Sequence, residues 1–319
     1  MDAIPERSRT LLNLLSQRIV ILDGAMGSMV IRHKLQEPDF RGERFKSHPH
    51  DLKNFNDLLS ITQPALIESI HAAYLGAGAD IIETNSFNSQ SVSMDDYGLK
   101  ALAGEVNFAS AQLARKAADR STDRDPSRPR FVAGSIGPTK HTLSLPMNTD
   151  DPAYRKFTFD EFVDSYFEQV KALADGGADI LLVETIFDTL AAKAAYMAIH
   201  KYFDGGGRRL PVMLSVTIFQ NGANLSSQGV EAFWNSVSHM DLMSVGINCA
   251  LGPKEIRPHL EELSNIAPVP VSCYPNAGLP DPLAETGFPE TPQTFAPHLK
   301  EWAKLGWLNI VGGCCGTTP

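Results

Sequence analysis

The sequence predicts an α/β protein built as a single (β/α)8 barrel. Three observations point there: eight short apolar runs, helical patterns between most of them, and long connections on only one side of the alternation. The runs are Ile19–Asp23, Ala79–Thr84, Phe131–Ser135, Asp179–Thr185, Val212–Ile218, Met243–Cys249, Val269–Tyr274 and Leu308–Gly312. Rich in Val, Ile and Leu without polar alternation, they suit parallel strands covered on both faces. Pro64–Leu75 sets Leu66, Ile67, Ile70 and Tyr74 at helical spacing, and Phe159–Leu173 repeats the pattern with Phe162, Val163, Tyr166, Phe167 and Val170. Thr189–Tyr202, Val230–Ser238, Pro253–Leu263 and Thr294–Leu305 continue it. Eight such units favour a closed barrel over an open sheet. Met1–Gln17 reads as a short amphipathic helix, so the expected division is a helical extension over 1–18 and a barrel over 19–319.

The two ends of the barrel differ in their loops. Helix-to-strand junctions are tight: Gly76-Ala77-Gly78-Ala79-Asp80 before the second strand, Gly176-Gly177-Ala178-Asp179 before the fourth. Both continue as Gly-Ala-Asp-Ile and then Glu-Thr, a faint internal repeat. Strand-to-helix connections are long, about forty residues after the first strand and about twenty after the third. Barrel enzymes keep their chemistry on that face. A helix should also follow the eighth strand, yet the sequence given stops at Thr317-Thr318-Pro319, which suits a capped first helical turn. The eighth helix is therefore expected to be truncated, or split onto a partner.

Composition narrows the function. The chain has 319 residues, 43% hydrophobic and 20% charged, with a net charge of −9. That balance argues against a nucleic-acid partner, which calls for a basic face. No apolar run approaches the ~18 residues of a membrane span. The N-terminus lacks the apolar centre and cleavage site of a signal peptide, so a cytoplasmic setting is expected. There the four cysteines suit metal binding, catalysis or burial better than disulfides.

Cys314-Cys315 sits on a glycine-flanked turn after the eighth strand, and Cys249 ends the sixth. Neighbouring cysteines bridge each other only with strain. Three thiolates from two strand ends would instead hold one zinc ion and leave its fourth position open for a substrate thiol. Burial as small apolar side chains is the alternative, and Cys273, inside the seventh strand, reads as core. Asp23 and Glu184 close the first and fourth strands, where either would face a substrate ammonium, or serve as a cap or loop tie. Gly24 and Ala25 follow Asp23, and glycine there would let backbone N–H groups approach a carboxylate. Asn85 and Asn276 lie just past strand ends, as turn residues or substrate contacts. Asn276 could also lend zinc a weak oxygen ligand. His48-Pro49-His50 has no spacing that links it to the cysteines.

Together these residues resemble the homocysteine-binding, zinc-dependent methyltransferase family. The resemblance rests on Leu22-Asp23-Gly24-Ala25-Met26-Gly27, Glu83-Thr84-Asn85, Val183-Glu184-Thr185, Gly246-Ile247-Asn248-Cys249 and Gly312-Gly313-Cys314-Cys315-Gly316. Phe40-Arg41-Gly42-Glu43, Asn56 to Pro64, and Tyr274 to Pro280 are most similar to the N-terminal module of the cobalamin-dependent methionine synthase branch. The resemblance implies zinc on Cys249, Cys314 and Cys315, with homocysteine sulfur as fourth ligand and its amino group near Asp23 and Glu184. It implies methyl transfer from methylcobalamin to give methionine. The cobalamin- and methyltetrahydrofolate-binding modules of that branch are not in this sequence, so they would come from the same parent chain or a separate polypeptide. A stand-alone methyltransferase using S-methylmethionine or betaine is the rival within the class. A non-catalytic zinc-stabilised binding module is the rival outside it, and would need a fourth strong protein ligand.

Overall fold

The eight apolar runs form eight parallel strands: β1 (Val20–Ile21), β2 (Ile81–Glu83), β3 (Phe131–Ile136), β4 (Ile180–Ile186), β5 (Val212–Val216), β6 (Ser244–Asn248), β7 (Val271–Tyr274) and β8 (Ile310–Val311). The computed structural model describes residues 4–146, 148–284 and 287–319. Strand order is β1-β8-β7-β6-β5-β4-β3-β2. A bridge between Leu22 and Ile81 brings the two ends of that sheet together. There Asp23 N–H donates to Ile81 O (3.0 Å) and Asp80 N–H to Ile21 O (2.7 Å). The result is the expected (β/α)8 barrel.

Side-chain alternation along the strands divides the apolar core in two. Leu22, Ile81, Phe131, Ala133, Ile180, Leu182, Met213, Met243, Tyr274 and Ile310 fill the barrel interior. The N-terminal helix Glu6–Leu15 joins that inner cluster through fully buried Leu11, while Ser8 Oγ donates to Asp179 O (3.0 Å). This helix therefore packs across the N-terminal ends of the strands. Met1, Asp2 and Ala3 lie outside the described residues. Outward side chains such as Ile82, Val132, Leu181, Leu214 and Val245 pack against the helices in the larger cluster.

The helices confirm the periodic stretches, extended by a turn or less. They are Pro64–Ala77, Phe159–Gly176, Thr189–Asp204, Val230–Val237, Pro253–Ile266 and Pro292–Leu305. Gly78 (φ 118°) and Gly177 (φ 109°) end two of them in the left-handed conformation, turning the chain sharply into β2 and β4. A 22-residue helix, Ala103–Arg124, lies between β2 and β3, where the sequence reading assigned none. Its buried face is Ala103, Ala111, Ala114, Ala117 and Ala118 with Val106, Asn107 and Ser110. Alanine packs closely yet carries little hydropathy contrast, so the periodic signal is weak.

Among the described residues no helix follows β8. The outer faces of β1 and β8 open into a groove between Pro64–Ala77 and Pro292–Leu305, lined by Ile21, Ala77, Phe295, Leu299 and Val311. Ile21 is left 44% exposed there, unlike the outward residues of the other strands. No helix among the described residues is long and apolar enough to cross a membrane.

Candidate metal centre

The site lies at the C-terminal ends of the strands, where the long loops gather. At the end of β6, Asn248 acts as a buttress. Its Oδ1 accepts from Thr185 N–H (3.0 Å) and Ser215 Oγ (2.7 Å), its Nδ2 donates to Thr185 Oγ1 (2.8 Å), and its carbonyl accepts from Thr217 Oγ1 (2.7 Å). This bracing holds the next two residues, Cys249 (φ 61°) and Ala250 (φ 57°), in the left-handed region. Non-glycine residues enter that region only when the surroundings over-determine it, at a cost on the order of 1–3 kcal/mol each. The strained turn carries the Cys249 thiol to the barrel mouth.

After β8 the chain passes close to β1. A Cβ on Gly312 would meet Asp23 O at 2.7 Å and Leu22 Cβ at 2.9 Å, so only glycine fits. Gly313 N–H donates to Asp23 O (3.1 Å), Cys314 N–H to Pro275 O (2.8 Å), and Ala277 N–H to Cys315 O (2.8 Å). These bonds clasp the cysteine turn between the ends of β1 and β7. The Sγ atoms of Cys249, Cys314 and Cys315 then lie within 4.8 Å of one another, with Cys249 and Cys315 at 3.9 Å. All four cysteines are free. Hydrogen bonds from the Cys249 and Cys314 thiols pull Cys315 down to about 3, whereas Cys314 is pushed up by its bonds to the other two and by burial. One thiolate shared among three sulfurs is a ready cation site. A tetrahedral ion with metal–sulfur bonds of about 2.3 Å sets its sulfurs about 3.8 Å apart, so this donor set fits one soft metal. Among the described residues no other Cys, His, Asp or Glu joins the cluster. Cys273 is fully buried in the outer core, as its sequence suggested.

Beside the cysteines stand three acids. Asp23 and Glu184, both singled out from the sequence, are buried, and Glu83 at the end of β2 is half-buried. Burial pushes the Asp23 carboxyl well up, opposed by the Glu83 N–H it accepts at 3.1 Å and reinforced by Glu184. Glu184 is pushed up to about 7 by burial, although Ser135 Oγ donates to its Oε1 (2.5 Å). Glu83 is raised by burial and by the other two acids. Among the described residues no Lys, Arg or His pairs with any of them. Tyr274 Oη also lies in this enclosure, buried beside Glu184 and Ser215 without a well-formed hydrogen bond among the described residues. The sequence reading missed Glu83 and Tyr274. Glu83 appeared only inside a motif, and Tyr274 had the look of a core aromatic.

The remaining candidates divide. Asn276 is buried beside the cysteine turn, its N–H donating to Leu251 O (3.0 Å) and its Oδ1 without a partner among the described residues. Asn85 commits its Nδ2 to Asn56 O (2.8 Å) and Ser60 Oγ (3.1 Å), which ties the first long loop to the end of β2. Ala25 N–H is taken by Thr317 Oγ1 (3.3 Å), and a Cβ on Gly24 would meet that same oxygen at 2.6 Å. The close approach expected at Gly24 is thus made by Thr317. His48 and His50 stay in the first loop, where His48 Nε2 bonds Tyr97 O (2.7 Å).

Comparison with known proteins agrees with this layout. Residues 20–319 match the family model of homocysteine S-methyltransferase. The fold is similar to the metallated form of the homocysteine methyltransferase MmuM from Escherichia coli: TM-score 0.76, 24% identity, over 98% of this chain and 96% of that one. The oxidized form of MmuM gives TM-score 0.76 at 24% identity over 99% and 97%, and the apo form 0.70 at 23% over 98% and 96%. The chain belongs to the homocysteine S-methyltransferase family and is a methyltransferase.

Proposed function

We propose that this member of the family holds zinc on Cys249, Cys314 and Cys315 and uses it to present homocysteine as a thiolate for methylation to methionine. The observation that carries the reading is a cluster of three sulfurs at tetrahedral spacing, open to the mouth, with no fourth protein ligand among the described residues. A structural zinc site closes its fourth position with protein, so this count favours catalysis over a non-catalytic binding module. When bound, zinc would supply the positive charge that keeps a thiol deprotonated near neutral pH.

The chain's own residues do the rest. Asp23 and Glu184, acids without a cationic partner, hold the substrate ammonium beside the sulfur cluster. Asn276 Oδ1, buried and unpartnered, is placed to accept from the substrate or lend a weak oxygen ligand. Gly24 and Ala25 shape the wall at the end of β1. Transfer of a methyl group to sulfur needs alignment of sulfur, carbon and leaving group, and no general base. The extension before the barrel packs under it through the helix Glu6–Leu15. Four free thiols suit a reducing, cytoplasmic setting.

For the methyl donor we propose methylcobalamin, delivered by a cobalamin-binding module and recharged by a methyltetrahydrofolate-binding one. The first loop and the Tyr274 to Pro280 segment support this. A second reading, a stand-alone enzyme using S-methylmethionine or betaine, is supported by the 96% coverage of MmuM, a homocysteine methyltransferase of similar length. The test is metal analysis and methionine formation with each donor. One zinc per chain and turnover with methylcobalamin are expected. Cys315→Ala should lose the metal and lower turnover by about a hundredfold or more. Zinc that survives the substitution refutes the site, and turnover only with S-methylmethionine or betaine selects the second reading.

A further inference from the structure

The mouth contains one more acid than this function uses. Glu83 ends β2 next to Asp23, whose Oδ2 accepts the Glu83 backbone N–H at 3.1 Å. Ile81 lies in the inner core and Ile82 in the outer one, so strand alternation turns the Glu83 side chain inward, toward Asp23 and Glu184. Three carboxylates therefore share one enclosure with no protein cation among the described residues to balance them. Such crowding is unfavourable in the free protein, because each charge is desolvated and repelled by the others. It becomes favourable when a cation enters.

A second observation points the same way. Tyr274, 1% exposed, sets its Oη beside Glu184, Glu83 and Ser215, yet makes no well-formed hydrogen bond among the described residues. Asp23 Oδ1 is likewise buried and unpartnered. Buried polar groups normally find partners within the protein. Here a phenol and a carboxylate oxygen, on β7 and at the end of β1, both leave hydrogen-bonding capacity open toward one space.

We propose that Glu83 is a specificity-determining residue. With Asp23 and Glu184 it encloses the α-ammonium of the thiol substrate, so the site selects thiols that carry an amino group over thiols of the same length that lack one. This rests on the proposed function and deepens it by assigning how the substrate class is chosen. Gln at position 83 preserves shape and removes the charge.

The experiment uses the zinc-loaded full chain and titrates L-homocysteine and its des-amino analogue, 4-mercaptobutyrate, by calorimetry. Glu83→Gln should weaken homocysteine binding by about tenfold and leave 4-mercaptobutyrate within about twofold, since a charge-assisted hydrogen bond is lost for one thiol alone. Glu83→Asp should recover part of the preference. Zinc content should stay unchanged, and the thermal midpoint should hold or rise, because a crowded, desolvated acid gives way to a neutral side chain of the same shape. A merely structural Glu83 would lower the midpoint and weaken both thiols alike. Equal loss for the two thiols, or an unchanged preference in both variants, overturns the proposal while leaving the zinc chemistry standing. Failure of the unsubstituted, zinc-loaded chain to bind homocysteine overturns the proposed function, and this proposal with it.

Discussion

The two ends of the barrel use the same side-chain type in opposite ways. At the N-terminal ends of β2 and β4 the Gly-Ala-Asp repeat places Asp80 and Asp179, and at the C-terminal ends stand Glu83 and Glu184. Asp80 is fully buried and receives both guanidinium nitrogens of Arg18 (2.7 and 2.9 Å), Ile21 N–H (3.0 Å), and Arg130 at 3.7 Å. Asp179 receives Arg115 (2.6 Å) and Val132 N–H (3.0 Å). Among the described residues Glu83 and Glu184 have no such cation. A buried charge that is paired within the protein serves the fold, and one left unpaired waits for something outside it.

Three measurements press on that contrast. Asp80→Ala would strand Arg18 and Arg130 and should cost about 3–5 kcal/mol in denaturant unfolding, with metal content unchanged. A cost below about 1 kcal/mol would remove the distinction between the two ends. Next comes Asp57, a buried acid in the first loop held only by neutral donors: Asn88 N–H (2.7 Å) and Ser89 Oγ (3.0 Å), both to Oδ1. Burial pushes it up to about 6. The folded protein therefore keeps a proton that the unfolded chain releases near pH 4. Its contribution is full below that pH and is lost as pH rises to 6, by about 3 kcal/mol. Asp57→Asn keeps an Oδ1 acceptor for both bonds, so it should match the parent near pH 4 and exceed it by about that amount at pH 7. A constant gap across this range would contradict the assignment. Smallest is Glu184→Gln, which should raise the homocysteine KM about tenfold without lowering the thermal midpoint. A drop in the midpoint with KM unmoved would put Glu184 with the structural acids.

Much of this was legible before any coordinates. Strands buried on both faces read as unbroken apolar runs, and all eight were found, most with trimmed ends, while β3 and β4 run one residue further than expected. The helices showed wherever large apolar residues recur; the alanine-faced Ala103–Arg124 escaped, as did short helices in the long loops such as Met26–Arg32 and Glu37–Arg41. Cys249, Cys314 and Cys315 were visible because few roles ask for two adjacent cysteines and a third at a strand end. Asp80 and Glu83 are three residues apart, and no local pattern distinguishes an acid that folding pairs with a cation from one that it does not.

The sequence by itself determined the alternation of strands and helices, the end of the barrel that carries long loops, and the three cysteines that stand at strand ends. Those follow from periodicity and residue chemistry, which are local. Tertiary structure decided which acids are paired. Arg18 lies 62 residues from Asp80 and Arg115 lies 64 from Asp179, and closure of the barrel brings each pair together. Folding likewise brought Cys249 within 3.9 Å of Cys315, 66 residues away, and left Glu83, Glu184 and Tyr274 facing one enclosure. Burial and the distance to the nearest opposite charge set what an ionisable group does, and both depend on the whole fold.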